Sequence, residues 1–234
     1  MKSTQKTFLG FVGARKGSKG LPGKNKFMIN DKPLFLIALN KLRKTGVDDI
    51  IFSSDCHDML EVAHNHGYRC AERPANFADD KTRIPEEILR LSTVYNIEKD
   101  FVVSIPPTSP LLRVESILSA MEKIQRASQY DSCIAVTDWD GAFPGLAFYE
   151  DQNGDLLNVG NELGIETYPR QNRLKFKQNT GSFYIRNLKK MKTGKVQMAD
   201  NWLGNEVLYQ EISKSEALNI DTLDDWNRVQ ERLK

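Results

Sequence analysis

Short apolar runs alternate with longer amphipathic stretches over most of the chain. Continuous apolar runs predict buried strands at residues 8–12, 49–53, 101–105 and 132–137. Apolar residues at helical spacing predict helices at residues 33–45, 58–66, 85–95 and 114–127. Strands that alternate with helices in this way are typical of βαβ units. The pattern therefore predicts an α/β fold with a Rossmann-like, mostly parallel sheet.

The alternation stops between residues 138 and 177. Glycines, aromatic residues and polar residues replace it, and Asp151–Gly154 predicts the turn of a hairpin. We therefore expect one α/β domain formed by residues 1–137 and 178–234, with residues 138–177 as an inserted arm. The aromatic residues of this arm favour burial against a partner. A homodimer formed through the arm is the expected assembly.

Composition limits the classes of function. The chain has 234 residues and a net charge of +2, which is too small to indicate general nucleic-acid binding. Its cysteines, Cys56, Cys70 and Cys133, are few and unclustered, which indicates a reducing compartment without a disulfide framework. The N-terminal segment shows no signal-peptide pattern, and no apolar stretch is long enough for a membrane span. We expect a cytoplasmic protein that binds neither nucleic acid nor membranes.

A glycine-rich and strongly basic segment, residues 13–25, follows the first predicted strand. Gly13 begins the segment, the glycines within it are Gly17, Gly20 and Gly23, and its cations are Arg15, Lys16, Lys19 and Lys24. Glycines let the backbone approach a ligand closely, and cations beside exposed N–H groups form a binding site for anions. A polyphosphate bound at the end of the strand is the natural ligand.

This segment matches neither of the common phosphate-binding motifs. In the frame closest to a P-loop, Ser18 replaces the first glycine and Asn25 replaces the final Ser or Thr. The glycines recur every three residues, which is not the spacing of the dinucleotide fingerprint. The sequence therefore argues against a P-loop kinase and against a dehydrogenase.

Several motifs occur in order along nearly the whole chain. The most specific are Ala14–Asn25 and Pro107–Leu111, and the others are Ser53–Asp55, Arg73–Ala75, Pro169–Gln171, Gly181–Ile185 and Asn219–Thr222. Together they resemble the acylneuraminate cytidylyltransferases, or CMP-sialic acid synthetases. The resemblance implies transfer of CMP from CTP to the anomeric hydroxyl of a nonulosonic acid, a sialic-acid-like 2-keto-3-deoxy sugar acid, with release of pyrophosphate. It also implies an arm that packs on a second subunit and reaches toward its active site.

The resemblance and the chemistry of nucleotidyl transfer assign residues to the nucleotide. Such a transfer requires a neutralised triphosphate and well-positioned reactants. We assign Arg15, Ser18 and Lys24 to the triphosphate, and we expect Arg15 and Lys24 to be catalytic and to lie on a solvent-accessible loop. The remaining nucleotide contacts are expected from Ala14, Gly17, Lys19, Asn25 and Arg73, with Ser53, Ser54 and Asp55 at the rim beneath the nucleotide.

Asp221 is the expected ligand of Mg²⁺, for which Mn²⁺ could substitute, and it is the third expected catalytic residue. Mg²⁺ prefers carboxylate oxygen and keeps several of its waters. The motif of the family has two aspartates, whereas this chain has Asn219 at the first position. Residues two apart on an extended segment share one face, so both could reach one ion. The uncharged amide of Asn219 favours one ion over two.

For the acceptor, Arg170 and Gln171 are the expected contacts of the sugar-acid carboxylate, because a guanidinium pairs well with a carboxylate. Lys177 and Asn179 are expected to assist. Thr108 and Ser109, in the loop after a buried strand, are also expected to bind the acceptor. Pro106 stands where the family often has glutamine. This change makes legionaminic or pseudaminic acid at least as plausible an acceptor as N-acetylneuraminate.

Two alternatives remain open at this point. A 3-deoxy-manno-octulosonate cytidylyltransferase is one, although its loop typically reads Lys-Pro where this chain has Lys24 and Asn25. A nucleotide-binding subunit that has lost its chemistry is the other, and Asn219 is the feature in its favour.

Overall fold

The computed structural model describes residues 6–17, 20–47, 49–79, 81–127, 129–141, 143–166, 168, 171, 173–195 and 202–233. Contacts between residues divide the chain into two compact units. The main unit comprises Met1–Val136 and Asn179–Lys234, and the insert comprises Thr137–Gln178.

Strands and helices alternate through the first half of the main unit. The strands are β1 (Phe8–Ala14), β2 (Met28–Ile29), β3 (Lys32–Pro33), β4 (Asp49–Ser54), β5 (Arg69–Glu72), β6 (Phe101–Ser104), β7 (Ser132–Asp138), β8 (Phe148–Glu150), β9 (Leu156–Asn158), β10 (Lys177–Asn187) and β11 (Val207–Glu211). The helices are α1 (Leu34–Lys44), α2 (His57–Asn65), α3 (Ile84–Val94), α4 (Val114–Arg126), α5 (Val159–Glu162), α6 (Leu188–Lys192) and α7 (Leu223–Arg232).

The central sheet has the strand order β11-β7-β10-β6-β1-β4-β5. β1 is parallel to both β4 and β6, whereas β10 is antiparallel to β6. After β1, the strands β4 and β5 are added on one side of β1, and β6 then pairs with β1 on its other side. In open α/β sheets, ligands bind beyond the carboxyl ends of the strands at such a reversal. The reversal here lies between β1 and β6, and the predicted α/β fold is confirmed.

Apolar side chains cover both faces of this sheet. On one face, residues such as Val12, Phe52 and Val103 pack with α1, α2 and α4. On the other face, Leu9, Phe11 and further strand residues pack with α3 and α6. Successive strand residues point to opposite faces, so each central strand is apolar on both sides.

On the face of the sheet that packs with α3, small and polar residues replace apolar residues at the carboxyl ends of the strands. Gly13, Ser53 and Ser104 follow the apolar residues Phe11, Ile51 and Val102 on that face of β1, β4 and β6. Ser53 is fully buried and Ser104 is 4% exposed. Buried polar groups require hydrogen-bond partners, so this layer is the place to look for a functional network.

The insert contains the predicted hairpin. β8 pairs antiparallel with β9, with Phe148 opposite Asn158. The Asp151 carboxylate closes the turn by accepting hydrogen bonds from the Asn153 and Asp155 backbone N–H groups at 2.8 and 2.9 Å. Gly154 has a φ of 87°, a conformation that favours glycine.

Candidate active site

The glycine-rich loop after β1 is held at its start by two side chains. Asp55 accepts a hydrogen bond from the Lys16 backbone N–H at 2.6 Å. The buried Asn25 donates from its amide nitrogen to the Arg15 carbonyl at 2.9 Å. The Arg15 guanidinium donates to the carbonyls of Ala78 and Asp79. These contacts fix the loop beside the carboxyl end of β1, whereas Ser18 and Lys19 lie outside the described residues.

Lys24 and Asp221 form an ion pair across this loop. Lys24 Nζ lies 2.6 Å from Asp221 Oδ1 and donates to the Ile220 carbonyl at 2.8 Å. The Lys24 side chain is only 13% exposed, although the sequence predicted that its loop is solvent-accessible, while the side chain of Asp221 is 72% exposed. A Cβ on residue 20 would lie 2.7 Å from the Asp221 carbonyl oxygen, so Gly20 permits this close approach.

Asn219 links three segments of the main unit. Its amide oxygen accepts from Ser109 Oγ at 2.5 Å, and its amide nitrogen donates to the Thr180 carbonyl at 2.5 Å. The next backbone N–H group, that of Ile220, donates to the Thr108 carbonyl at 2.9 Å. Both ends of the Asn219 amide are therefore engaged by protein groups. Asp221 is left as the exposed carboxylate of this segment.

The described residues contain no group of three His, Cys, Asp or Glu side chains that could hold a metal ion. A magnesium ion that keeps its waters and bridges substrate phosphates needs only one or two protein carboxylates. The exposed carboxylate of Asp221, 2.6 Å from a lysine of the basic loop, fits that requirement.

Ser53 and Ser54 lie deeper than the rim position expected for them. Both are fully buried. Ser53 Oγ donates to the Glu87 carboxylate at 2.6 Å, and Ser54 Oγ accepts from the Cys56 backbone N–H at 3.1 Å. Their hydroxyls support the ends of the strands and are not exposed to a ligand.

Arg73 belongs to the same buried network. It is 4% exposed, and its Nε donates to Ser53 Oγ at 3.3 Å. Its Nη2 is buried and has no hydrogen-bond partner among the described residues. Burial lowers the pKa of Arg73, and the carboxylates of Glu87 and Asp55 oppose that shift. A Cβ on residue 13 would lie 2.5 Å from Nη2, so Gly13 leaves room for the guanidinium at the end of β1.

A cleft of about 230 Å³ opens at the reversal between β1 and β6. Apolar groups and backbone form most of its wall, from Phe11, Gly13, Ile84, Pro85, Ile105, Pro106 and Gly181. Its polar lining comes from Arg83, Ser104, Tyr184 and Arg186. Ligand sites commonly combine an apolar wall with a few convergent polar groups. The cleft is therefore the best candidate for the binding of a substrate ring.

The loop after β6 is held by a half-buried lysine of α1. Lys41 Nζ donates to the Ser109 carbonyl at 3.4 Å and to the carbonyls of Pro110 and Leu112. Burial lowers the pKa of Lys41 to about 8. Lys41 therefore fixes the loop that contains Thr108 and Ser109.

The other expected acceptor residues are divided between the two units. In the insert, Lys177 Nζ pairs with Asp138 Oδ1 at 2.7 Å, and Gln171 is exposed. Arg170 lies outside the described residues. In the main unit, Asn179 accepts from the Gly181 backbone N–H at 3.0 Å and donates to the Tyr184 hydroxyl at 3.3 Å.

The family model described as Cytidylyltransferase matches residues 9–144, which is more than half of the chain. The chain belongs to the cytidylyltransferase family. The matched segment includes the basic loop after β1, the Arg73 network and the loop after β6. The ion-pair partner Asp221 lies beyond it.

Curated relatives of this cytidylyltransferase include bacterial enzymes for sialic-acid-like sugars. The CMP-N,N'-diacetyllegionaminic acid synthase of Legionella pneumophila is 27% identical over 230 residues, which cover 93% of this chain and 92% of that protein. The N-acylneuraminate cytidylyltransferase of Escherichia coli O18:K1:H7 is 29% identical over 130 residues, 55% of this chain. That alignment spans only 31% of the length of the E. coli protein.

Solved structures show the same fold. The structure of CMP:2-keto-3-deoxy-manno-octonic acid synthetase complexed with CTP superposes with a TM-score of 0.72 and covers 97% of this chain and 98% of that one. Its sequence is 12% identical, so the comparison shows the fold alone. The fold of this cytidylyltransferase is the α/β nucleotidyltransferase fold.

Sequence reasoning missed two residues of the site, Glu87 and Arg186. Glu87 shares the inner face of α3 with Ile84, Ile88 and Leu91, and a charged residue at such a position is the signal that could have revealed it. Arg186 alternates with buried Ile185 in β10, a strand that lies between two neighbours in the sheet. A polar face on an interior strand is the corresponding signal.

Proposed function

We propose that this protein transfers CMP from CTP to the anomeric hydroxyl of a nonulosonic, sialic-acid-like 2-keto-3-deoxy sugar acid and releases pyrophosphate. The main support is the basic loop after β1, which Lys24 joins to the exposed carboxylate of Asp221 in a chain of the cytidylyltransferase family. The Legionella relative, which aligns over 92% of its own length, supports the class of acceptor.

In the proposed reaction, the anomeric hydroxyl oxygen forms a bond to the α-phosphorus of CTP. The bond from that phosphorus to the bridging oxygen breaks, pyrophosphate leaves with the electron pair, and the hydroxyl proton passes to solvent. The cations Arg15, Lys24 and Lys19 neutralise the triphosphate, and Ser18 contacts it. Positioning and charge neutralisation provide most of the catalysis in such transfers.

Asp221 is the residue that we propose to hold Mg²⁺ or Mn²⁺ together with the substrate phosphates. The ion, when bound, stabilises negative charge on the phosphate oxygens. The ion pair with Lys24 keeps the Asp221 carboxylate next to the basic loop. Asn219, which is bonded to Ser109 and Thr180, holds the segment in place.

Metal dependence is tested by comparing the wild type with Asp221→Asn in Mg²⁺, Mn²⁺ and chelator. We expect turnover to require a divalent ion and to be lost in the variant. Asp224→Asn, the control at an exposed carboxylate that pairs with Arg228 on the surface of α7, should fold and keep activity. Full turnover of Asp221→Asn with the metal present would contradict the assignment.

For the acceptor, we propose contacts from Thr108, Asn179 and the exposed Gln171, together with Arg170 and Lys177. Pro106 lines the cleft, where it provides an apolar surface in place of a hydrogen-bonding amide. That surface favours a deoxygenated acceptor such as legionaminic or pseudaminic acid over N-acetylneuraminate.

The decisive experiment is pyrophosphate release by the purified full chain with CTP and a panel of acceptors. The panel contains N-acetylneuraminate, a legionaminic acid, pseudaminic acid and 3-deoxy-manno-octulosonate. We expect turnover with at least one nine-carbon acid. Turnover with 3-deoxy-manno-octulosonate alone would support the related family of the CTP-bound structure. CTP binding without any turnover would support a non-catalytic subunit.

We also propose a homodimer formed through the insert. Several of its apolar side chains are exposed, including Phe148 at 60%, Leu156 at 68% and Leu163 at 66%. A two-stranded hairpin is marginal in water without further packing. Light scattering should give a dimer for the wild type and a lower mass for Phe148→Asp. A fully active monomeric wild type would contradict this proposal.

A cytoplasmic location is the remaining proposal. The three cysteines are free thiols, with Cys56 and Cys133 buried. None of the helices in the described part of the chain is long and apolar enough to cross a membrane. Fractionation of native cells with an antibody against this chain tests the location.

A further inference from the structure

The cleft between β1 and β6 is cationic. Two arginines, Arg83 and Arg186, are among its lining residues, and the described residues that line it include no acidic side chain. These two charges complement an anion, and the apolar remainder of the wall suits the ring that carries it. Sequence reasoning assigned no role to either arginine.

The Arg186 side chain extends along the sheet toward the carboxyl end of β6, which is the ligand edge. Its backbone lies opposite Val102 in β6, two residues from the carboxyl end of that strand. The guanidinium extends toward Ser104 at the end of the strand, and Nη1 donates to Ser104 Oγ at 3.3 Å. Its Cζ atom lies 4.2 Å from the centroid of the Tyr184 ring. The charged group is thus held where the cleft opens.

The position of this charge is costly. Arg186 is 2% exposed, and burial lowers the pKa of its guanidinium to about 10. The group is still protonated at neutral pH, and an anion would offset the cost of its desolvation. On the same face of β10, Ser182 Oγ is buried without a hydrogen-bond partner among the described residues. A perturbed charge in a cleft is a frequent mark of a functional site.

We propose that Arg186 binds an oxyanion of a substrate in this cleft, and that the oxyanion is the carboxylate of the acceptor. This inference rests on the function proposed above. Arg15 and Lys24 already place positive charge for the triphosphate on the loop after β1. The cleft, at about 230 Å³, is smaller than the roughly 300–1,000 Å³ of a complete ligand pocket. It therefore fits part of the acceptor.

The test combines two variants with a change in the ligand. Arg186→Met removes the charge and keeps an aliphatic stem, whereas Arg186→Lys keeps a charge and removes the planar fork. Each protein is assayed with CTP and the best acceptor of the panel, as the free acid and as its methyl ester. Acceptor affinity is also measured by calorimetry, which does not depend on turnover.

Arg69→Met is the matched control. The Arg69 guanidinium stacks on the Tyr95 ring at 4.3 Å, much as Arg186 stacks on Tyr184. Arg69 is the first residue of β5, the edge strand, at the end of the strand opposite to the ligand edge. Arg69→Met removes an arginine that stacks on a tyrosine but has no role in the cleft. The KM values for both substrates should therefore not change.

We expect kcat/KM for the acceptor to fall roughly ten- to hundredfold in Arg186→Met, the loss typical of a desolvated charge pair. The KM for CTP should stay within about twofold of the wild-type value. In Arg186→Lys, kcat/KM for the acceptor should lie between the values for Arg186→Met and the wild type. Esterification of the acceptor should strongly weaken its binding to the wild type. It should weaken binding to Arg186→Met only slightly further. This lack of additivity is the result that supports a direct contact.

Other outcomes overturn the proposal. A rise in the KM for CTP alone would identify the anion as a nucleotide phosphate. A wild type that binds the ester as well as the free acid would remove the carboxylate contact, even if Arg186→Met did not fold. Acceptor binding that is equal in the wild type and Arg186→Met, with equal ester penalties, would do the same. A wild type that binds the acceptor but releases no pyrophosphate would refute the proposed function and leave the Arg186 comparison measurable.

Discussion

Replacement of Glu87 by glutamine should destabilise the protein more than any change of a surface charge. Glu87 is fully buried and accepts from Ser53 Oγ at 2.6 Å and from two nitrogens of Arg90 at 2.7 Å each. Its charge also favours the buried guanidinium of Arg73. Glutamine keeps the shape but removes the charge and turns N–H donors toward groups that donate.

The magnitude follows from the exposure of the partners. Removal of one member of a buried ion pair costs about 3–5 kcal/mol. Arg90 retains 18% of its side-chain exposure, so water recovers part of this energy. We therefore expect a loss of about 2–3 kcal/mol in the free energy of unfolding, or roughly 1 M urea in the midpoint.

Urea unfolding followed by circular dichroism provides the measurement. Glu122→Gln is the control, because Glu122 pairs with Arg126 on the surface of α4, where the two side chains are 66% and 82% exposed. Such a pair contributes only about 0.3–0.5 kcal/mol. If the midpoints of the two variants shifted by similarly small amounts, the buried network would contribute little to stability and the reasoning would fail.

Three further predictions concern single side chains. Lys24→Met should lower kcat roughly hundredfold in the pyrophosphate assay while thermal unfolding stays cooperative, and unchanged turnover would separate the ion pair with Asp221 from catalysis. Burial lowers the pKa of Lys41 from 10.5 to about 8, so the unfolded chain binds more protons than the folded chain between these pH values. The free energy of unfolding should therefore rise with pH across that window by up to about 3 kcal/mol. Urea titrations of the wild type and of Lys41→Met should show this rise in the wild type alone. Burial raises the pKa of Asp131, but its bonds to Lys190 and backbone N–H groups outweigh that effect and lower the pKa overall. This contribution to stability is present above about pH 4 and is lost as pH falls through the folded pKa, and Asp131→Asn should flatten that acid dependence in thermal melts.

The hydrophobic pattern was sufficient to predict the first half of the fold. The helices α1, α2, α3 and α4 begin and end within one residue of the predicted bounds. Their amphipathic period and the short buried runs between them are local signals. The pattern did not predict β5, β10 or β11. β5 is a short edge strand with a charged residue at each end, and β10 owes its place to pairing with β6, which is distant in the sequence.

The candidate site was predictable in part. The basic loop stands out because four cations lie among its glycines, and Asp221 stands out because it lies in a motif of the family. The structure brings Lys24 of that loop and Asp221 together. The depth of a side chain was not predictable, since Ser53 follows an apolar run and could equally have been at the surface. Glu87 and Arg186 are positioned by tertiary packing that no local motif encodes.

The ion pair between Lys24 and Asp221 joins residues that are 197 positions apart. During synthesis at about 5–20 residues per second, Asp221 leaves the ribosome roughly 10–40 s after Lys24. The first strands and helices can pack before then, since their contacts are closer in sequence. The proposed nucleotide site is thus completed late, and a nascent chain with a folded β1–β6 core cannot yet hold CTP in the arrangement proposed here.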